Sequence, residues 1–598
     1  MSAIWSYYYP GKSPLSRQCK LCDEEGKFKV IKIQSKSTSN LISHLRRQHL
    51  SEYAAMKRSQ DASLAANFEV SSRKMDPDDV TVDELQIISQ ITAGNINLEA
   101  FKDGNSHSLF RPFHVRGFIS PTRWKIVRAI RSLVDRKNEE VLCSLRGCES
   151  WSMNISVWPT KSDQSLFLVV ILNFLNQDGA RKSLVARVQD CDVEMDSDEF
   201  EMKLSLFLEE IYDGKRGHMK KFAGAMYSGP KNLIPAFSSL KIRLVPCCCE
   251  TLQFVLEKSI SSVEFVRNLF GKFFLLVIEL YRTQRGRMAI RMLELEEKLV
   301  KRPLLQNIKT WSSFYYLLKW VADTDRHIIE ELCAAVGFEP PSCSDWEDIP
   351  QICQLLQIFH DVNNEILYKC DFVSQIIPNL ILLRRSLEIT TVTTSAAVAL
   401  KNEILEQVEA RLAAVKDNLI WRLATFLDSR SSNFQNIFPG KELFNIEEDV
   451  VQYIRGLIEN GELEFGQNPL LSLSFDHMIK SELSKYRKKF LSEKILSGDQ
   501  CGAIWWIYRI EKFPLLSRAA LRVLSFNTSS LANQTMRRPV TKLHAQLRRS
   551  KCSTLTMENL LRIRANEICE EIGRWSSDFF RFLDQTGLDS DVEYEFFR

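Results

Sequence analysis

From Trp151 to Trp158 large apolar residues alternate with small polar ones, Trp-Ser-Met-Asn-Ile-Ser-Val-Trp, and the apolar runs Ser165 to Leu175 and Leu184 to Val188 follow after short gaps. Alternation of period two predicts strands, and short gaps predict that they neighbour one another in a single sheet. Phe200 to Tyr212 reads as the first helix packed on that sheet, with Lys221 to Tyr227 and Ile242 to Pro246 as further strands. From about Ser259 to Lys480 the period changes to that of a helix. Phe265 to Tyr281, Met288 to Val300, Phe314 to Trp320, Ile349 to Tyr368 and Ala396 to Leu427 are the helices it predicts. No repeat of 30 to 45 residues runs through them, which disfavours a solenoid.

The N-terminal stretch is patterned differently. Ile4-Trp5-Ser6-Tyr7-Tyr8-Tyr9-Pro10 is an aromatic cluster, Phe28 to Ile33 alternates apolar residues with lysines as a strand does, and Ser37-Thr38-Ser39-Asn40 supplies helix-cap chemistry ahead of Leu41 and Leu45. Within this stretch Cys19 and Cys22 are followed, 21 residues later, by His44 and His49. Two thiols at the tip of a turn and two imidazoles on one helix face are the tetrahedral N/S set that Zn²⁺ prefers, so we expect one structural zinc site. The helix is left with Ser39, Asn40, Ser43, Arg46 and Arg47 away from the metal. Polar side chains near a helix N-terminus can reach base edges, while arginines neutralise phosphates.

Composition bounds the rest. At 598 residues, 45% hydrophobic and 26% charged, the chain is expected to be multidomain and globular. Runs such as Leu166 to Leu172 and Phe273 to Ile278 are too short to cross a bilayer, and the N-terminus has no apolar signal segment, so no membrane partner is expected. Fifteen dispersed cysteines without such a segment read as reduced thiols. The net charge of +4 is small, yet residues 1–60 hold eleven Lys/Arg against four Asp/Glu, and Met536 to Lys551 holds six Lys/Arg and no acid. Both stretches are candidate polyanion-facing surfaces. There is no phosphate-binding Gly-rich loop, Gly-x-Ser-x-Gly or His-Glu-x-x-His. Cys247-Cys248-Cys249 reads as buried apolar thiols, His218 as a surface residue, and Lys485 to Lys489 as either an import signal or a solvated helix face.

The aromatic cluster, Cys-x-x-Cys and Thr38-Ser39-Asn40-Leu41-x-x-His44-Leu45-Arg46-Arg47-Gln48-His49 together resemble the BED-type zinc finger, a family that binds DNA through its finger helix. The remainder is similar to hAT-superfamily transposases. The marks are Leu109-Phe110-Arg111-Pro112-Phe113 with Ile119 to Arg123, Thr310 to Ser313, Phe426-Leu427-Asp428-Ser429-Arg430, Trp505-Trp506 with Phe513-Pro514, and Leu560 to Asn566. The implied fold is multidomain α+β: a small ββα zinc finger plus a ribonuclease-H-like α/β core interrupted by a large all-helical insertion and closed by a C-terminal hAT dimerisation region. The implied boundaries are a finger at 1–58, a linker at 59–83, a helical segment at 84–145, the first part of the core at 146–258, the insertion at 259–480, and the dimerisation region with the end of the core at 481–598. Trp505, Trp506, Phe513 and Pro514 are the dimerisation residues the resemblance implies.

An active hAT enzyme holds divalent metal with three carboxylates. Their positions in this chain fall on Ser156, two residues before Trp158, on Ser228, four before Asn232, and on Gln534, after Ser529 and Ser530. The family's Cys-x-x-His has become Cys247-Cys248-Cys249-Glu250. Neutral side chains cannot supply the anionic charge such metals require. Asp190, Asp192 and Asp213 are carboxylates that could be recruited instead. The expectation is therefore a catalytically inactive, transposase-derived nuclear protein that binds double-stranded DNA through its finger. It is expected to form a homodimer and to work with chromatin or transcription factors. The alternatives are an active hAT-type transposase and a nuclear protein-interaction scaffold.

Overall fold

A computed structural model describes residues 3–10, 16–24, 26–27, 29–32, 39–49, 52–53, 80–101, 121–159, 165–177, 179, 181–212, 217–299, 301–303, 311–364, 373–430, 437–463, 472–492, 502–527, 531–549 and 552–586. They fall into two compact units, Met1–Asp83 and Glu84–Arg598. The expected linker at 59–83 lies almost entirely outside the described residues, as does Leu109 to Phe113.

In the first unit, β1 (Tyr8–Pro10), β2 (Ser16–Cys19) and β3 (Val30–Lys32) form an antiparallel sheet in that order, with α1 (Lys20–Glu24) and α2 (Ser39–Gln48). Two strands were expected and three are present. The aromatic segment does more than pack, because Tyr8 pairs with Cys19 and Tyr9 with Gln18, extending the sheet with residues of high strand propensity. Among the described residues the buried apolar core holds Ile4, Tyr8, Cys19, Cys22, Leu41 and Leu45, with Tyr7, Leu21, Ile31, Ile42 and Tyr53 packed against it partly buried. So small a core needs a further cross-link, which a metal supplies.

The second unit begins with α3 (Val82–Thr92) and α4 (Arg123–Gly147). Its sheet has the order β6-β5-β4-β7-β8. The long β4 (Cys148–Pro159), β5 (Ser165–Asn176) and β6 (Arg181–Asp192) pair antiparallel; β7 (Phe222–Ser228) runs parallel to β4, and β8 (Leu244–Pro246) parallel to β7. The helix α5 (Ser197–Tyr212) makes the crossover from β6 to β7. Alternation along β4 has a structural meaning. Trp151, Met153, Ile155 and Val157 enter one apolar cluster with Phe200, Leu204 and Phe207 of α5, whereas Ser152 and Asn154 are buried among polar partners. Ser152 Oγ donates to the Ser525 carbonyl at 2.8 Å, and Asn173 Nδ2 donates to Asn154 Oδ1 at 3.1 Å. Asn173 Oδ1 accepts in turn from Ser183 and Asn527. Arg181 reaches the Leu524 and Phe526 carbonyls. The chain around residue 525 is thereby sewn back onto strands laid down more than 340 residues earlier.

Between β8 and that return the chain is helical: α6 (Cys248–Ser262), α7 (Glu264–Arg282), α8 (Gln284–Leu295), α9 (Trp311–Asp323), α10 (Arg326–Val336), α11 (Cys343–Asn364), α12 (Ile376–Ile389), α13 (Ser395–Asp417), α14 (Leu419–Leu427), α15 (Lys441–Glu459) and α16 (Ser472–Ser492). The run read as a single helix over Ala396 to Leu427 is two helices, because Asn418 leaves the helical conformation and its side chain accepts from Trp421 N to cap α14. The pattern read to Val300 stops at Leu295. There Glu297 takes a left-handed φ of 56° and Lys298 N turns back to the Leu293 carbonyl at 2.9 Å.

The chain closes with α17 (Gly502–Ile507), α18 (Pro514–Val523), α19 (Leu531–Arg549) and α20 (Thr554–Thr586). Trp505, Trp506 and Phe513, which the resemblance implies for dimerisation, are 6, 0 and 0% exposed and belong to the same apolar core as the helical insertion. Trp505 stacks on Phe513 at 6.1 Å and Tyr486 packs against both tryptophans; Pro514, half-buried, starts α18. No helix among the described residues is long and apolar enough to cross a membrane.

Candidate metal centre and nucleic-acid interface

Cys19 ends β2, Cys22 lies on α1, His44 is on α2, and His49 is the first residue past it. Both imidazoles turn to the same side: their ring centroids are 5.6 Å apart, and Cys22 Sγ lies 3.3 Å from His44 Nε2 and 3.1 Å from His49 Nε2. One ligand atom from each of the four residues lies within 4.8 Å of every other. Bonds of about 2.3 Å to sulfur and 2.0–2.1 Å to nitrogen in a tetrahedron separate S from N by about 3.5 Å, so the group fits the size of a zinc ion. Burial, followed by the nearby His49 and Lys29 charges, holds His44 below the usual imidazole value, which keeps its lone pair free for a metal. Cys19, Cys22, His44 and His49 are positioned to bind one zinc ion.

A partner that sequence reasoning did not single out sits behind this group. The Tyr8 hydroxyl donates to the Leu41 carbonyl at 2.7 Å, and its ring meets His44 edge-on at 6.3 Å. Burial raises the phenol's pKa, so it stays a donor. Tyr8 thus ties β1 to the helix that bears the ligands. Nothing in the spacing distinguishes it from Tyr7 and Tyr9; only the register of β1 does.

Among the helix residues named for DNA contact, Arg47 is exposed and Ser43 half-buried, while the side chains of Ser39 and Arg46 lie outside the described residues. Asn40 is exposed but partly committed, since its Nδ2 donates to the Lys32 carbonyl at 2.9 Å and fixes the start of α2 on β3. Lys27, Lys29 and Lys32 add exposed cations around the same small sheet.

In the second unit, Ser156 and Ser228 face each other in register across β4 and β7. Ser228 Oγ donates to the Glu250 carboxylate. The Gln534 side chain is outside the described residues. Asp190 is taken up by His544, whose Nε2 lies 3.1 Å from its Oδ2; Asp192 ends β6, and Asp213 falls outside the described residues. Cys247 and Cys248 are fully buried, as expected of apolar thiols. Lys485 and Lys488 are exposed on α16 while Tyr486 between them is fully buried.

Comparison with known proteins bears on the first unit most directly. The chain is 21% identical over 343 residues to the human zinc finger BED domain-containing protein 4 (Homo sapiens), a match covering 54% of this chain and 29% of that protein. The chain therefore spans well under half the length of this curated relative. Residues 2–50 match the family described as BED zinc finger, and the N-terminal module, with its four clustered ligands, is a BED zinc finger.

Proposed function

We propose that this chain is a nuclear, zinc-dependent, sequence-specific DNA-binding protein whose large second unit is transposase-derived and catalytically inactive, and which acts as a dimeric transcription or chromatin regulator. The observation that carries the reading is the four-ligand cluster that holds α2 against a small basic sheet, within a BED zinc finger. The metal supplies structure, not chemistry: it fixes α2, the helix that carries Ser39, Asn40, Ser43, Arg46 and Arg47. Asn40 and Ser43 then face base edges, and Arg46 and Arg47 meet phosphates.

The transposase origin draws support from the sheet. A meander of three antiparallel strands followed by two parallel ones in the order β6-β5-β4-β7-β8 is what a ribonuclease-H-like core would present. Its interruption by a helical segment and its closure near residue 525 fit the same layout. The loss of catalysis rests on residue identity. Ser156 and Ser228 face each other where two metal-binding carboxylates would need to stand. One finger offers few contacts, so pairing two fingers through the second unit raises the effective concentration and the affinity. The buried Trp505 and Trp506 support such pairing only indirectly, by shaping the unit that performs it.

Selection of duplexes from a random pool, using the zinc-loaded full chain, tests the reading. An enriched motif, with no cleavage of the selected DNA in Mg²⁺ or Mn²⁺, is the expected result. Metal-dependent cleavage would favour the active transposase, and no enrichment would favour a protein-interaction scaffold.

A further inference from the structure

Helix α8 carries two apolar stripes on opposite sides. Gly286, Ile290 and Leu293 pack inward. Met288, Met292 and Leu295, spaced i, i+4, i+7, are 58, 53 and 75% exposed. A surface helix needs one apolar stripe to hold it to its core, and the second has no use inside a folded monomer. Scattered exposed apolar residues are ordinary, but an aligned run along a whole helix is a recognition feature. Methionine suits it, since an unbranched, polarisable side chain adapts to the surface it meets.

The rim of this stripe is cationic. Arg285, Arg287 and Arg291 are exposed. Arg287 Nη1 donates to the Tyr281 and Arg282 carbonyls, and among the described residues none of the three arginines has a carboxylate partner. The acids at the far end of the helix are already engaged, Glu294 with Arg302 and Glu296 with Lys298 at 2.7 Å. Positive side chains in the first turn also oppose the helix dipole, so this arrangement is not one that the isolated helix favours. A second copy docked antiparallel along the stripe, with its symmetry axis near Arg291 and Met292, would set Arg291 beside its own copy. An acidic ligand relieves both costs.

We infer that α8 is a docking surface for an acidic amphipathic helix of a partner protein. Its apolar residues, at i, i+4 and i+7, lie on Met288, Met292 and Leu295, and its carboxylates meet Arg285, Arg287 and Arg291. This rests on the proposed reading of the chain as a transcription or chromatin regulator and does not depend on DNA recognition by the finger.

The test uses the full chain and a fluorescein-labelled helical peptide of about four turns with a leucine stripe flanked by Glu and Asp, read by anisotropy. A second peptide replaces every acid by Lys. The M288S/M292S variant is expected to bind the acidic peptide about tenfold more weakly or worse, as loss of two buried apolar anchors requires. The R285E/R287E/R291E variant is expected to exchange its preference for that of the Lys peptide. All five side chains are exposed; because Arg287 also donates to the Tyr281 and Arg282 carbonyls, R285E/R291E serves as a second charge variant with the same expected exchange, and circular dichroism of it and of M288S/M292S should be unchanged. Equal binding of the acidic peptide to wild type and M288S/M292S would overturn the inference. So would equal binding of the two peptides, or a sedimentation experiment in which M288S/M292S turns a dimer into a monomer, which would make a second copy the occupant. Finger-dependent DNA binding measured on the same samples separates failure of this inference from failure of the DNA reading.

Discussion

The indole nitrogen of Trp506 donates to the main-chain carbonyl of Leu427 at 2.6 Å, across 79 residues of sequence. Tyr486 donates likewise to the neighbouring Phe426 carbonyl at 2.9 Å, so two aromatic side chains cap the open end of α14. The tryptophan pair is a clamp inside the second unit.

Trp506→Phe keeps most of the packing but leaves the buried Leu427 carbonyl without its donor. The expected cost is about 1–3 kcal/mol of unfolding free energy, with no change in the oligomer distribution at concentrations where the protein stays folded. Denaturant titration and light scattering on the same variant check both parts. A folded Trp506→Phe protein with altered assembly would return this residue to an interface.

Just beyond that cap, Asp428 is fully buried and accepts from Arg430 at 2.7 Å, from Gln375 and from Ser374. Burial alone would raise its pKa, but the Arg430 hydrogen bonds and charge, with Ser374, reverse this and hold it below the usual carboxylate value. A lowered carboxylate pKa contributes stability that is present above the unfolded value of about 3.9 and is lost as pH falls through the folded value. Asp428→Asn leaves Arg430 uncompensated, so it should cost roughly 3–5 kcal/mol near neutral pH and lose less than wild type as the pH falls below the unfolded carboxylate value. Urea unfolding across pH measures this; parallel curves for the two proteins would remove Asp428 from the account.

Chelating zinc should unfold the first unit alone. Its six-residue apolar cluster is too small to persist without the metal, whereas the second unit has its own extended core. Limited proteolysis with and without chelator should expose cleavage sites before residue 84 and leave the remainder protected. Loss of the whole fold would show that the two units are energetically coupled.

Carboxylates restored at the paired positions should recreate metal affinity. Ser156→Asp/Ser228→Asp places two acids opposite each other in the β4–β7 register. At a Mn²⁺ concentration 100 times its Kd, the double variant should gain about 2.7 kcal/mol and wild type should show no shift. A comparable shift in wild type would indicate that other groups already hold metal there.

The elements most legible in the sequence were those whose chemistry is local. Ligand spacing identified Cys19, Cys22, His44 and His49 because zinc imposes its own short-range geometry, and alternation marked β4 because its two faces meet different surroundings. The partners that bury Trp505 and Trp506 were not legible, since Tyr486, Leu427 and Phe513 arrive from elsewhere in the chain. The break at Asn418 was obscured by continuous apolar periodicity on both sides of a cap. The third strand of the finger and the Tyr8 to Leu41 hydrogen bond depended on register, which three consecutive tyrosines leave open.

Arg47 is the exposed, described cation on the helix the zinc holds in place. Arg47→Ala should weaken binding about equally across duplex sequences and reduce the salt slope by about one. That outcome would separate a phosphate contact at Arg47 from the base readout proposed for Asn40 and Ser43.

The most direct test of the central claim is duplex binding, by anisotropy, of full-length wild type and His44→Ala/His49→Ala to a selected motif and to a scrambled duplex of equal length. Loss of the preference for the motif, with the second unit still folded by its own unfolding transition, is the result expected if the zinc-held helix reads DNA. An unchanged preference in the histidine variant would contradict it.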